Sequence, residues 1–325
     1  MPKSRLVLRC QDVHKSYGPK SVLHDVDLEV AAGQIVALVG PSGCGKSTLF
    51  NGILGTHQPT RGRVVVGRNG QEHVVAGPNR HCGIVYQHYA LYPFLTVLES
   101  VAFGLMLDET SLPFRAFRPL KWRKLRSEHL DRAAAALRRV HLTDADFGKY
   151  ASELSGGMQQ RVAVAQAIVM RPQILLLDEP FGALDEATRE SLQTMLLEFY
   201  EENRGAIARG EAPPHTMVIV THELTEAIYV ADRVVGLSQH WDWRAEQHVA
   251  CPGATIVYDK IAPVYPPGAP KDYELFAVQR DEIRRTVFEP PTPTPRGLHV
   301  TFWNDVAAGR GQGVMELKTK EGGAR

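Results

Sequence analysis

Residues Gly40-Pro41-Ser42-Gly43-Cys44-Gly45-Lys46-Ser47-Thr48 fit the pattern G-x-x-x-x-G-K-[ST]. No other stretch constrains this chain as much, because the pattern demands a strand, a tight loop, a helix and a phosphate ligand together. Ile35 to Val39, just before it, is a continuous apolar run closed by glycine. That suits a buried parallel strand feeding a loop. Ser47 to Leu54 then reads as the helix. Glycines let the loop curl so that several backbone N–H groups face one oxyanion. The helix start adds a favourable dipole of ~0.3–1 kcal/mol. Lys46 is placed to reach the β- and γ-phosphates, Ser47 to ligate Mg²⁺ and Thr48 to hold a phosphate oxygen. The expected ligand is a nucleotide triphosphate with Mg²⁺.

Two further segments fit the same chemistry. Ile174 to Leu177 is an apolar strand ending in Asp178 and Glu179. Asp178 suits the Mg²⁺-holding aspartate of nucleotide hydrolases, and Glu179 then stands where it can orient or deprotonate a water. Leu154-Ser155-Gly156-Gly157-Met158-Gln159-Gln160-Arg161 opens a helix with a serine and two glycines. Such a start is either a second anion site or an ordinary Ser N-cap. Read as an anion site, it is surplus to a single nucleotide loop. A head-to-tail dimer, each chain completing the other's site, would use it.

Strand patterns recur along the chain. Val7 to His14 reads as an edge strand. Val22, Val26, Leu28 and Val30 fall on one side of a half-buried strand. Short strands are expected at Val64 to Gly67, His73 to Ala76, Ile84 to Tyr86 and Met217 to Val220. Residues 88–170 read as mostly helical, and Arg189 to Glu202 as a crossover helix. This alternation implies an α/β fold: a P-loop core with a mostly parallel sheet, an antiparallel N-terminal β subdomain and a helical subdomain.

The 325 residues carry a net charge of +1, which gives no general electrostatic argument for nucleic acid or an anionic surface. Cys10, Cys44, Cys82 and Cys251 form no C-x-x-C pair, which favours free thiols in a reducing compartment. The first residues lack the apolar core of a secretory leader. No apolar run approaches the ~18 residues that span a bilayer. A cytoplasmic protein that docks on a membrane partner is expected.

The motifs together, in this order, resemble the ATPase subunits of ABC transporters. Leu154 to Gln160 is similar to that family's signature motif, Gln87 to its Q-loop, Ala183-Leu184-Asp185 to its D-loop and His222 in Val220-Thr221-His222 to its H-loop. The resemblance runs from about residue 5 to about 288. It implies ATP and Mg²⁺ as cofactors and roles residue by residue. Tyr17 would stack on adenine. Gly40, Pro41, Ser42, Gly43, Cys44, Gly45, Lys46, Ser47 and Thr48 would cradle the phosphates. Ser47, Asp178 and Gln87 would hold the metal. Glu179, His222, Gln87 and Lys46 would act in catalysis. Ser155, Gly156 and Gly157 would hold the γ-phosphate bound to a second copy, and Asp185 would communicate across that dimer.

The resemblance also implies ATP-driven dimer closure powering integral membrane permease subunits, with a solute-binding protein acting through the permease. The location implied is the cytoplasmic face of the cell (inner) membrane, as a peripheral subunit. Tyr86 to Val97, Asp178 to Asp185 and Gly77-Pro78-Asn79-Arg80 are similar to the nitrate, sulfonate, taurine and bicarbonate importers, implying a small anionic solute. Two other readings stay open: a non-transport ABC ATPase acting on nucleic acid or ribosomes, and an ATP-sensing regulator without turnover. The absence of coiled-coil heptads and the near-neutral charge speak against the first, so no nucleic acid is expected. Glu179 and His222 speak against the second.

Residues 1–238 are read as the nucleotide-binding domain, with the helical subdomain at about 88–170. Residues 239–288 form a family-like C-terminal segment, closed by a helix over Tyr273 to Phe288. Residues 289–325, beginning Pro290-Pro291-Thr292-Pro293, read as a flexible tail. There are also departures from the family. Gln166 stands where arginine is usual, which leaves its polar contacts open. Residues 108–127, 203–214 and the stretch around Trp241-Asp242-Trp243 are longer than usual. The first of these interleaves Phe114, Phe117 and Trp122 with six basic residues. It reads as a solvated loop or as a contact for anionic lipid or a partner protein, and Pro113 and Pro119 argue against one continuous amphipathic helix there.

Overall fold

Period-two alternation along the short apolar strands sorts their side chains onto two faces. In β3 (Ile35–Val39), Val36 and Leu38 enter one core while Ile35, Ala37 and Val39 enter another. β7 (Ile174–Asp178) and β8 (Met217–Val220) divide in the same way, with Ile174, Leu176, Val218 and Val220 on the first side. Both faces are therefore covered, as a parallel sheet requires. The computed structural model describes residues 6–68, 71–87, 91–182, 184–288 and 292–311.

The first core lies beneath an antiparallel sheet of β1 (Leu6–Tyr17), β2 (Lys20–Ala31), β4 (Arg61–Arg68) and β5 (Gln71–Val74), in the order β2-β1-β4-β5. β1 is thus central rather than an edge strand. It pairs with β2 on one side and β4 on the other, a partnership that its own weak alternation does not encode. The large sheet runs β11-β10-β9-β3-β8-β7-β6. Here β6 is Cys82–Val85, β9 Arg233–Ser238, β10 Thr255–Ile261 and β11 His299–Val300. β3 pairs in parallel with β8 and β9, and β7 in parallel with β8 and β6. Those strands consequently end along one edge, where α/β sheets bind ligands.

α1 (Lys46–Leu54) follows β3 directly and sends Leu49, Phe50, Ile53 and Leu54 into the first core. Other helices cover the second face. α2 (Val97–Glu109) starts at a reciprocal Thr96–Glu99 capping box. α3 (Leu112–Phe117) and α4 (Pro119–Arg139) each carry a proline in the first turn. There the missing N–H costs nothing. The basic stretch is accordingly two helices rather than a loop. α5 (Gly156–Ile168) packs on α2 and α4, and Gln166 donates to the Ser100 carbonyl at 3.2 Å. α6 (Glu186–Ala208) continues through residues 203–208, past Glu202 where the expected crossover helix stopped. Buried Asn203, Ala206 and Ile207 extend its apolar face. α7 (Leu224–Val230) follows β8, and α8 (Tyr273–Ile283) ends in a π-helical turn, Arg284–Phe288.

Residues 292–311 correct the expectation of a flexible tail. β11 adds to β10 in parallel, and α9 (Phe302–Ala307) places Phe302 and Val306 against Leu6 and Ala31. The Phe302 ring lies 4.0 Å from the buried Arg233 guanidinium. That guanidinium is paired twice with Asp259, at 2.7 and 2.6 Å. The proline-rich start hides an ordered aromatic anchor. Residues 289–291 and 312–325, also assigned to that tail, lie outside the described residues. Trp241 is likewise core, 1% exposed, with its indole N–H donated to the Gly253 carbonyl.

Removing a buried phenyl ring costs roughly 3–5 kcal/mol. Phe302→Ala should therefore lower the denaturant midpoint by a clear margin in chemical unfolding. A loss below about 1 kcal/mol would show that α9 is not part of the packed core.

Candidate active site

The loop after β3 is shaped by what its glycines touch. A Cβ on Gly40 would run into the Leu237 carbonyl oxygen of β9, well inside contact distance. Gly45 has φ of 106°, a left-handed value that L side chains rarely adopt, and a Cβ there would lie 2.8 Å from Leu23. Lys46 is buried and its ammonium donates to the carbonyls of Gly40 at 2.7 Å and Pro41 at 3.1 Å. A cation is thus fixed inside the loop's mouth. Ser42, Gly43 and Ser47 are exposed at its rim, Pro41 and Thr48 are half-buried, and Cys44 is buried, its thiol pushed up by burial.

Across the same sheet edge, β7 delivers Asp178 and Glu179. Asp178 is half-buried, and its carboxyl is held above the usual range. Burial is the main cause, Glu179's charge adds to it, and Lys46 opposes both. Glu179 has φ of 45°, a left-handed backbone unusual for glutamate. Its N–H is tied to the Val220 carbonyl at 2.8 Å. Its carboxylate is bracketed by the Gln87 amide, donating at 3.2 Å, and by His222 Nδ1, also at 3.2 Å. Gln87 follows β6 and His222 follows β8, so three adjacent parallel strands supply this cluster. A carboxylate so held has its two oxygens fixed in direction while remaining partly open to water.

Hard oxygen donors suit Mg²⁺. Ser47 and Asp178 are of that kind, and the Lys46 charge, which pulls Asp178's ionisation down against burial, makes the loop and the carboxylate electrostatic neighbours. The glycine-lined mouth with its buried cation suits a polyphosphate. The residues present fit both groups.

The Ser155–Gly157 turn makes its contacts elsewhere. Ser155 caps α5, accepting from the Met158 N–H at 3.3 Å. A Cβ on Gly157 would collide with the Thr188 methyl of α6. Thr188 is itself held by Asp185, which caps α6 and accepts from the Thr188 N–H at 2.9 Å and hydroxyl at 2.8 Å. These bonds hold the Asp185 carboxyl below its ordinary value. Ser155 and Gly156 remain exposed. Among the described residues, no hydrogen bond joins this turn to Gly40–Thr48. Ala183 lies outside the described residues. Tyr17 ends β1, 45% exposed, with the Lys15 ammonium 5.1 Å from its ring centroid.

Thr188 and Leu237 were not visible as site residues in the sequence. One spaces the signature turn from Asp185 and the other backs the phosphate loop, and no local pattern marks either. Gly157→Ala should destabilise by roughly 1–3 kcal/mol through overpacking. Thr188→Ser, which removes the clashing methyl and keeps the hydroxyl, should recover most of that loss in the double variant. Additive losses in thermal unfolding would show that the two residues do not touch.

Comparison with known proteins points one way. The family profile of the ABC transporter matches residues 23–182. The sulfate/thiosulfate import ATP-binding protein of Agrobacterium fabrum is 39% identical over 232 residues, covering 71% of this chain and 61% of that protein. Its counterpart in Synechococcus elongatus is 41% identical over 237 residues, covering 72% and 61%. The chain thus spans about three fifths of the length of the curated relatives it matches. A bacterial ABC transporter cassette solved as a dimer is 30% identical, with a TM-score of 0.53, over 70% of this chain and 93% of that one. An ATP-binding cassette solved as a dimer in a post-hydrolysis state with ADP and Pi has a TM-score of 0.57 at 26% identity, over 79% of this chain and all of that one.

Proposed function

The chain belongs to the ABC transporter family, and on that premise we propose that it is the ATP-hydrolysing subunit of an importer. The observation that carries this reading is the Glu179 carboxylate, bracketed by Gln87 and His222 at the strand edge that also bears Lys46. A binding-only sensor has no use for a base restrained in this way.

In the proposed mechanism Lys46 takes the charge of the β- and γ-phosphates, and the loop N–H groups share the rest. Ser47, Asp178 and Gln87 would hold Mg²⁺, which when bound would supply positive charge against the phosphates. Glu179 accepts a proton from the attacking water as the water oxygen bonds to the γ-phosphorus and the bond to ADP breaks. Gln87 and His222 keep the carboxylate aimed, so little reorganisation is needed. Tyr17 stacks on adenine. Ser155, Gly156 and Gly157 act on the nucleotide of a second copy, and Asp185, through Thr188, couples that turn to the start of α6.

The partners follow from the same reading: a second copy in a head-to-tail dimer, and membrane permease subunits moved by its closure. A solute-binding protein acts through the permease. No helix among the described residues is long and apolar enough to cross a membrane. On the family reading, permease subunits span the membrane and this subunit sits peripherally on its cytoplasmic face. The solute is proposed to be a small anion. The curated relatives are named for sulfate and thiosulfate, while the Tyr86 to Val97 and Asp178 to Asp185 stretches favour the nitrate, sulfonate and taurine type.

Lys46→Ala removes charge-assisted contacts worth about 3 kcal/mol together. Its affinity for Mg²⁺–ATP should fall about 100-fold or more in equilibrium binding, and unchanged affinity would refute the loop assignment. Glu179→Gln should bind ATP as wild type does while steady-state hydrolysis falls roughly 10²–10⁴-fold. Hydrolysis within about threefold of wild type would remove Glu179 from the role of base.

A further inference from the structure

Residues 111–126 hold six cations, Arg115, Arg118, Lys121, Arg123, Lys124 and Arg126, and no carboxylate, in a chain whose net charge is only +1. Two of the six are used internally. Arg115 donates to the Met106 carbonyl and the Thr110 hydroxyl, both at 2.8 Å, and lies over the Trp122 ring. Arg126 pairs with Glu99. The other four are exposed, and no ion pair joins them to any described residue. Beside them stand Leu112, Phe117 and Leu120, exposed by 76%, 85% and 81%. The run from Phe117 to Lys121 is exposed at every residue, because α3 ends and α4 begins there.

This tip is built rather than slack. Arg115 ties α3 back to the end of α2, and the buried His129 of α4 meets Glu109 of α2 at 2.9 Å. This scaffold thus presents three large exposed apolar side chains beside cations that have no ion pair to any described residue. Such a combination is costly to leave in water, and it matches the interfacial layer of an anionic bilayer. There aliphatic and aromatic groups enter the acyl boundary while Lys and Arg stay with the headgroups. Four exposed cations with no ion pair to any described residue suit a diffuse negative plane. A protein surface would ask for a pattern of opposite charges.

We propose that the α3–α4 tip docks on an anionic lipid surface, adding a direct membrane contact to whatever the permease supplies. The proposal shares with the preceding section only its setting at a membrane, and it does not depend on the nucleotide chemistry.

The test is co-sedimentation of the purified full chain with vesicles of phosphatidylcholine, with and without phosphatidylglycerol. The wild type should partition at least tenfold better onto the anionic vesicles, and the difference should shrink as salt rises. Each cation near such a surface is worth about fivefold in partitioning. A variant with Arg118→Gln, Lys121→Gln, Arg123→Gln and Lys124→Gln should therefore lose at least tenfold. Phe117→Ser with Leu120→Ser should lose severalfold and keep the salt dependence. Absence of wild-type binding, or binding unchanged in both variants, would overturn the proposal. So would capture that requires permease in the vesicle and ignores lipid charge, which would mark the tip as a protein contact. ATP hydrolysis in the absence of lipid should be equal in wild type and both variants. If none of the three hydrolyses ATP, it is the ATPase reading that fails, and the vesicle result stands by itself.

Discussion

The parallel pairing of β3 with β8 and β9, and of β7 with β8 and β6, is the constraint on which the rest depends. β3, β7 and β8 are short and apolar on both faces, so none of the three can sit at a surface. Buried together in one direction, they must release their C-terminal ends along one edge. The phosphate loop leaves from β3, Asp178 and Glu179 from β7, Gln87 from β6 and His222 from β8. A register slip of one residue in any of them would exchange the two cores and turn its terminal polar group away. The same ladder keeps Glu179 in its left-handed backbone, since its N–H is bonded to Val220 of the neighbouring strand.

Most of that edge was legible in the sequence because each of its groups directly follows a compact apolar run. Gly40–Thr48 after Val39 and Asp178-Glu179 after Leu177 are local signals, and their chemistry can be read without knowing the fold. Contacts between distant segments were not legible. Nothing near Gly157 announces that Thr188 will sit against it, and nothing in Val7 to His14 tells that β1 lies between two partners. The C-terminal region misled for another reason. Its proline-rich start has the composition of a loose tail, while Phe302 and Val306, one helical turn apart, carry the packing. The expected crossover helix likewise stopped at Glu202, short of the end of α6 at Ala208.

The site also has a division that a single chain does not resolve. Lys46, Asp178, Glu179, Gln87 and His222 gather at one edge, while Ser155, Gly157, Thr188 and Asp185 form a separate, rigidly spaced unit where α5 and α6 begin. That second unit leaves Ser155 and Gly156 exposed at a helix start, and among the described residues no hydrogen bond joins it to the phosphate loop of its own chain. Two copies facing head to tail would bring each unit to the other's nucleotide. Hydrolysis would then depend on closure, which is how such an edge could drive a permease. The central claim is therefore that one chain owns only half of each pocket.

A cryo-EM map of the Glu179→Gln variant with Mg²⁺–ATP measures this most directly. The account predicts two chains per particle, with the Ser155–Gly157 turn of one copy against the γ-phosphate held by Lys46 of the other. A map in which the nucleotide is enclosed by a single chain and that turn faces solvent would contradict it.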